Sequence, residues 1–360
     1  MDLFSKVGRG MVLHVSGTEY EQGKQQGEKA ADLIAKNVAR FKNAIRQYDH
    51  LNLDYGGLIR RNTAFLEKRE PGVAAEIQGI ADGSGIPYED ILLINIPLYF
   101  ILKWLPQECS QFLAWRSATL DGKTYLVKTR DMGGEWVEHV ILRRAYADGK
   151  VSVEVNGAGI VTYPGSGMNR HGLAVSTSGV WSHRMTFDLD AVDRAHALLN
   201  SRHILEKCRT VEDAVDYLNN EPRMSGMNFV VADKHRAAAL EVTRDRVIVS
   251  GNDDGIIVRT NHYVAPELRH LNPDAESYPS TYKRYERAVS FLRSRAGAIR
   301  FQDMLEIATD HENGPVNTIC RHAAEPGGAV TIYCSIMIPE DGQVWTSLIN
   351  PCEALRLTYI

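Results

Sequence analysis

At 360 residues, with 44% hydrophobic and 24% charged side chains, the chain is long enough to bury a sizeable core without staples. A formal net charge of −4, with no long block of Lys or Arg, excludes the electrostatic footprint of a nucleic-acid or anionic-membrane binder. The five cysteines, Cys109, Cys208, Cys320, Cys334 and Cys352, are odd in number and never paired as CxxC, so neither a disulfide framework nor a zinc ribbon is expected. A reducing cytoplasm fits that usage.

In chain order, "MDLFSKVGRGMVLHV" lacks an apolar h-region and a small-residue cleavage site, so no secretory signal is expected. From Gly17 onward, Ala31, Ile34, Val38, Phe41 and Ile45 recur at helical period, with Thr18 as an N-cap. A second helix is expected over "PGVAAEIQGIADGSG", ended by its glycines. The apolar run "ILLINIPLYFILKWL" (91–105) carries Asn95, Pro97 and Lys103 and falls short of the roughly 20 residues of a membrane span, so it reads as core. Its "PLYFILKWL" part has a second reading, as the wall of an acyl pocket. The first hundred residues are mainly helical in this reading.

After Cys109 the pattern changes. The runs "SQFLAWRSAT" and "KTYLVKTRD" are β-rich and flank Leu120-Asp121-Gly122, a hairpin-turn signal. Further strands are expected at "HVILRRAY", "VSVEVNG", "GLAVSTSGV", "MNFVVADK", "AAALEVT", "AVTIYCSIMIP" and "QVWTSLIN", and helices at "AVDRAHALLNSRHILEKC", "TVEDAVDYLNN" and "STYKRYERAVSFLRSR". No repeat, low-complexity stretch or Pro/Gly linker divides the chain, so residues 1–360 read as a single domain. Hairpin-linked strands and helices in separate blocks argue an α+β layered fold, not a doubly wound parallel sheet.

A lone cysteine is usually a small buried hydrophobe, the reading given to Cys208, Cys320, Cys334 and Cys352. Cys109 stands apart, because it follows the polar break Pro106-Gln107-Glu108 and begins a strand. A strand start offers no helix dipole to activate the thiol. An α-amine of pKa about 7.7 to 8.0 would serve instead, if the chain were cut just before Cys109.

Seven segments bear on that possibility: "GTEYEQGKQQG", "PGVAAEIQGIADGSGIPYEDILLINI", "CSQFLAWRSATLDGKTYLVKTRDM", "GSGMNRHGLAVSTSG", "MNFVVADKHRAAALEVT", "RTNHY" and "DHENGPVNTICRH". In this order and spacing the chain resembles the isopenicillin N acyltransferase-like family of N-terminal nucleophile (Ntn) cysteine hydrolases, whose precursors cleave themselves before an internal cysteine. The resemblance implies a four-layer αββα sandwich with antiparallel sheets, and a cut between Glu108 and Cys109. The products would be a helical fragment 1–108 and a β-rich fragment 109–360 that stay together. It makes Cys109 the nucleophile of both self-cleavage and turnover, and Asp131 the carboxylate that orients the freed amine. Asn228 would donate to the tetrahedral oxyanion, and Arg321 would place a permanent positive charge near the reacting centre or a substrate carboxylate. No cofactor or metal is implied; the partner is a small amide or acyl substrate.

Two departures from the family pattern are visible. Glu108 stands where members usually have glycine, and "MGGEW" lacks the aromatic often found beside the family's aspartate. Glu108 motivates a second reading, an uncleaved homologue that binds a ligand without catalysis. Of the competing constellations, Asp310, His311, Cys320 and His322 match no tight metal-ligand spacing, so no metal is expected there. The segment "GSGMNRHG" is not GxGxxG and reads as a turn. A Cys-His-Asp protease pairing Cys109 with His262 or His311 is disfavoured by the hairpin after Cys109. The chemistry expected is acyl transfer through a thioester on Cys109, with water or an amine as acceptor. Hydrolysis of a small N-acyl amide is favoured because no basic patch for coenzyme A phosphates is evident, although Arg143 and Arg144 keep the thioester-donor version open.

Overall fold

The computed structural model describes residues 11–46, 54–96, 107–133, 137–180, 182, 199–223, 226–251 and 254–360. The segment "PLYFILKWL" and residues 134–136 of "MGGEW" lie outside them, as do residues 191–198 of the helix expected from Ala191. The chain begins with strand β1 (Met11–Gly17) and the helices α1 (Glu19–Arg46), α2 (Tyr55–Arg69), α3 (Pro71–Ser84) and α4 (Tyr88–Asn95). Then come β2 (Gln107–Ala114), β3 (Tyr125–Met132), β4 (His139–Tyr146), β5 (Val151–Gly157), β6 (Ser166–Asn169) and β7 (Ala174–Gly179), followed by α5 (Asn200–Lys207) and α6 (Val211–Asn220). The remainder is β8 (Met227–Ala232), β9 (Ala237–Val242), β10 (Val247–Ser250), β11 (Ile256–Arg259), α7 (Pro279–Ser294), α8 (Phe301–Ala308), β12 (Val330–Ile338), β13 (Gln343–Ser347) and β14 (Arg356–Tyr359).

Both faces of β2 and β3 carry apolar residues, and the reason is that both faces are covered. Leu113, Trp115, Leu126, Met168, Val230 and Met337 fill the space between two sheets. Phe112, Ala114, Tyr125 and Val127, which alternate with them along the strands, pack against Phe291 and Leu292 of α7 and Met304 and Ile307 of α8. The larger sheet has eight strands in the order β1-β4-β5-β6-β7-β8-β9-β10, the smaller six in the order β11-β2-β3-β12-β13-β14. A third core joins α1, α3 and α4 to the outer face of the larger sheet through Ile34, Ile77, Ile80, Ile94, Val140 and Val175. The result is the expected αββα stack. Its pairs are antiparallel, except that β1 runs parallel to β4 at one edge.

Local chemistry explains several boundaries. Thr18 Oγ1 accepts from Glu21 N at 3.3 Å while Glu21 Oε2 accepts from Thr18 N at 2.8 Å, a reciprocal cap that starts α1. Helices α1 and α3 touch backbone to backbone: a Cβ on Gly23 would sit 2.1 Å from Glu76 O, and one on Gly79 2.2 Å from Tyr20 O. The β2–β3 connection is longer than a two-residue hairpin turn. It holds a 3₁₀ turn at Arg116–Ala118 before Gly122 takes φ +72°. "GSGMNRHG" also differs from expectation, since its first half is strand β6 and only Arg170 to Gly172 turn back toward β7. Strands β1, β10, β11 and β14 and helices α2 and α8 were not among the elements expected. Among the described residues no helix is long and apolar enough to cross a membrane.

Candidate active site

The two-residue period of β2 sends Cys109 and Glu108 to opposite faces of the smaller sheet. Cys109 shares the inter-sheet face with Gln111 and Leu113. Glu108 shares the helix-facing side with Ser110 and Phe112. On β3 the register opposes Glu108 to Asp131, Cys109 to Arg130 and Gln111 to Lys128. Two carboxylates directly across a strand pair repel, so this pairing requires cations.

Two arginines supply them. Arg284, on α7, donates from Nη2 to Glu108 Oε2 at 2.6 Å. Arg321 makes a two-toothed contact with the same carboxylate, Nη1 to Oε1 at 2.9 Å and Nη2 to Oε2 at 2.7 Å. Ser280 Oγ adds a hydrogen bond to Oε2 at 2.5 Å. Burial alone would raise the Glu108 pKa, but Arg284 and Arg321 outweigh it and hold the group below its ordinary value. Arg284 also grips the nucleophile's own backbone, donating from Nη1 to Cys109 O at 2.7 Å.

Asp131 is fully buried. Its Oδ1 accepts from Thr331 Oγ1 at 2.7 Å, and its Oδ2 lies 3.5 Å from Arg321 Nε without a hydrogen bond. Burial raises its pKa, with Arg321 and Arg284 opposing the shift. Thr331 Oγ1 accepts in turn from Arg321 N at 2.8 Å, so one hydroxyl ties the arginine segment to the aspartate. A cavity of about 250 Å³ opens beside Thr331, lined among others by Val137, His139, Ile332, Leu348 and Asn350.

The backbone nitrogen of Cys109 donates to Asn261 Oδ1 at 2.9 Å, an oxygen that also accepts from Arg284 Nη2 at 2.9 Å. Asn261 belongs to the "RTNHY" segment, in which the sequence reading weighed only His262. Asn228, expected to face a tetrahedral oxygen, instead spends its amide on the two carbonyls flanking Asn261. Its Nδ2 donates to Thr260 O and His262 O, both at 3.1 Å. It stands one step behind Asn261 and aims it at Cys109.

Lys128, like Asn261 and Arg284, was missed from sequence. It is 1% exposed, donates from Nζ to Thr177 O at 2.5 Å across the inter-sheet space, and neighbours the Cys109 sulfur. Burial lowers its pKa, and the charge and hydrogen bond of Cys109 work against that. Alternation in "YLVKTRDM" was the available signal, since it puts Lys128 on the side of Leu126, which is core.

The protease alternatives do not assemble. His262 directs Nδ1 to the hydroxyls of Thr281 at 3.0 Å and Thr260 at 3.1 Å, and stacks on Tyr282 with centroids 4.4 Å apart. Burial, reinforced by Arg284, lowers its pKa to about 3, so it is neutral and a poor base. His311 sits with Cys320 and His322 instead. Arg144, a candidate for coenzyme A phosphates, is fully buried against Glu76 at 2.6 Å and Glu154 at 3.0 Å.

Compared with known proteins, residues 118–353 match the family described as acyl-coenzyme A:6-aminopenicillanic acid acyl-transferase. The match takes in Lys128, Asp131, Asn228, Asn261, Arg284 and Arg321 and begins after Cys109. No curated protein matches the sequence. Among solved structures, a mutant of conjugated bile acid hydrolase from Clostridium perfringens aligns with a TM-score of 0.44 at 12% identity, over 70% of this chain and 92% of that one. Penicillin V acylase from Agrobacterium tumefaciens aligns with a TM-score of 0.45 at 14% identity, over 70% of this chain and 86% of that one.

Proposed function

Because the chain belongs to the acyl-coenzyme A:6-aminopenicillanic acid acyl-transferase family, we propose that it is an N-terminal cysteine amidohydrolase that cuts itself between Glu108 and Cys109. The observation that carries the reading is the Cys109 nitrogen fixed on Asn261 at the start of a buried strand, with the preceding side chain clamped by two arginines. In maturation the Cys109 sulfur adds to the Glu108 carbonyl carbon. The C–N bond breaks, the thiol proton passes to the departing nitrogen, and a thioester forms. Water then hydrolyses it to the Glu108 carboxylate and a free thiol.

The released α-amine, with a pKa of about 7.7 to 8.0, takes the thiol proton in each later turnover and returns it to the leaving amine. Asn261 Oδ1 orients that nitrogen, with Asn228 behind it. Asp131 Oδ2, which has no hydrogen bond, receives the ammonium that the cut creates. Fragment 1–108 stays bound, since it supplies β1 to the larger sheet and Glu76 to the ion pair with Arg144.

Glu108 also suggests the substrate. In self-cleavage it is the acyl residue, and its carboxylate lies on Arg284, Arg321 and Ser280. When the freed end at Glu108 withdraws, with the rest of fragment 1–108 still held through β1, the same three groups are available to a substrate acyl chain bearing a carboxylate at similar reach, such as a glutaryl amide. Release to water is favoured over transfer from acyl-coenzyme A because Arg144 is spent inside the protein and Arg143 Nε donates to Tyr359 O at 3.3 Å.

The first test is the intact mass of freshly purified protein under denaturing conditions, beside Cys109→Ala. Two masses that sum to the chain plus one water, with the break at Cys109 and lost in the variant, are expected. A single mass that persists on incubation would sink self-cleavage and favour a ligand-binding role. The second test sets a glutaryl anilide against the pentanoyl anilide. A preference for the glutaryl compound that falls about 10- to 100-fold in Arg284→Leu is expected for one charge-assisted pair. Equal kcat/KM for both substrates would remove the carboxylate from the reading and leave the hydrolase standing.

A further inference from the structure

Beside Arg321 in the chain, four soft or borderline donors converge. The Sγ atoms of Cys320 and Cys352 and one ring nitrogen each of His311 and His322 all lie within 4.8 Å of one another. We propose that these four residues form a structural zinc site.

Two edges of the cluster are close to tetrahedral zinc dimensions, and none exceeds 4.8 Å. With Zn–S near 2.3 Å and Zn–N near 2.0 to 2.1 Å, a tetrahedral site has an S···S edge of about 3.8 Å and an N···S edge of about 3.6 Å. Cys320 Sγ and Cys352 Sγ are 3.7 Å apart, and His322 Nε2 is 3.3 Å from Cys352 Sγ. Both cysteines are free. Two thiolates neutralise the dication, and binding releases the two thiol protons. A sulfur–imidazole set selects zinc over calcium or magnesium, which take oxygen ligands. The nearby carboxylate of Asp310 is not part of the set, being held by Arg287 through Nε at 2.9 Å and Nη2 at 2.6 Å.

The local chain is folded so that these donors meet. Cys320 N donates to Asp310 O at 2.9 Å, closing the "DHENGPVNTIC" loop and bringing His311 beside Cys320. Asn313 and Gly314 both take φ +75° in that loop. Asn350 then draws in the chain end, its Nδ2 donating to Arg321 O at 2.5 Å and reaching Cys320 Sγ at 3.6 Å, which sets Cys352 as the fourth donor. The spacing H-x₈-C-x-H gives only three ligands locally, and Cys352 arrives from the segment that follows β13.

Three of the four donor residues are exposed and Cys320 is buried, so an ion enters from solvent while its inner ligand is fixed by the core. Four protein ligands leave no open coordination position, which makes the site structural. Its consequence is positional. Cys320 and His322 flank Arg321, so a bound ion fixes the backbone on both sides of the guanidinium that holds Glu108.

The test is metal analysis of the full chain, purified under reducing conditions without chelator and supplied with Zn²⁺ before desalting. One zinc per chain is expected. Its loss by at least about tenfold is expected in Cys352→Ser and in His322→Ala, both exposed positions, together with a lower melting temperature when the parent is stripped by chelator. Cobalt substitution should give thiolate charge-transfer and tetrahedral d–d bands in the parent and not in Cys352→Ser. A parent chain that holds no zinc after desalting would overturn the site, as would stoichiometric zinc unchanged in both variants. A Cys320–Cys352 disulfide in the reduced preparation would overturn it equally. These readouts are independent of turnover, so they stand whether or not the hydrolase reading does.

Discussion

Two buried ionic networks, one on the outer face of each sheet, use the same parts differently. On the larger sheet, Arg144 and Arg202 share Glu76 at 2.6 and 2.8 Å, with Glu154 on Arg144 and Glu206 on Arg202. On the smaller sheet, Arg284 and Arg321 share Glu108 at 2.6 and 2.7 Å, with Asp131 3.5 Å from Arg321. Both are two arginines around one central glutamate, and both cost desolvation that only close pairing recovers. The first joins α3 and α5 to the sheet and touches no nucleophile. The second is built on the residue before Cys109. Buried charge by itself therefore does not mark a site; the proposed one is distinguished by its attachment to the residue before Cys109.

Breaking each network should give different symptoms. The largest effect is expected at the nucleophile: Cys109→Ala loses both self-cleavage and turnover, the latter by more than about 10⁴-fold, measured by intact mass and amide hydrolysis. Next, Glu76→Ala leaves Arg144 and Arg202 short of their common partner and should cost about 3 to 5 kcal/mol in denaturant unfolding. Protein that remains folded should still be cut. If Glu76→Ala instead stops cleavage with little loss of stability, the contrast between the networks fails.

Smaller effects sharpen it. Asn261→Ala, which removes the contact to the nucleophile's nitrogen, should lower kcat about 10²-fold, and Asn228→Ala should cost less because it acts through Asn261. The reverse order would return the oxyanion role to Asn228. The last effect is gradual and accumulates with pH. Burial, with Arg130 and Arg284 respectively in support, lowers His139 and His262 to about 3. The unfolded chain takes up these protons below about 6.5 and the folded one does not, so stability should fall as pH drops from there toward 3, by up to about 1.4 kcal/mol per unit for each histidine. Glu108, whose folded pKa is depressed, adds a further loss below about 4.3 as pH falls through its folded value. An acid profile flat between pH 6.5 and 4.5 would show that neither histidine is held neutral.

The layered fold was legible because period-2 alternation and the helix-forming blocks are local. The site was legible only in part. Arg284 stands in "STYKRYERAVSF", which reads as a charged surface helix. Yet Ser280, Arg284, Ala288 and Leu292 recur every four residues and are all buried, so the arginine lies on the apolar stripe. Choosing that phase needs the sheet against which α7 packs. Lys128 carries the same lesson in a strand. Asn261 and Cys352 were out of reach for another reason: each meets its partners only through contacts 152 and 32 residues away, which no local pattern encodes.

Strand β2 lies between β11 and β3, second from one edge of its sheet, and its register with β3 runs from Ala114 back to Gln107. Chain ends ordinarily fray, because nothing holds the last few residues. An end created at position 109 would be clamped on arrival, with its nitrogen on Asn261 and its carbonyl on Arg284 already fixed by folding. A substrate entering there meets a reactant that has no disorder left to lose, so only the substrate's own freedom stands between encounter and attack.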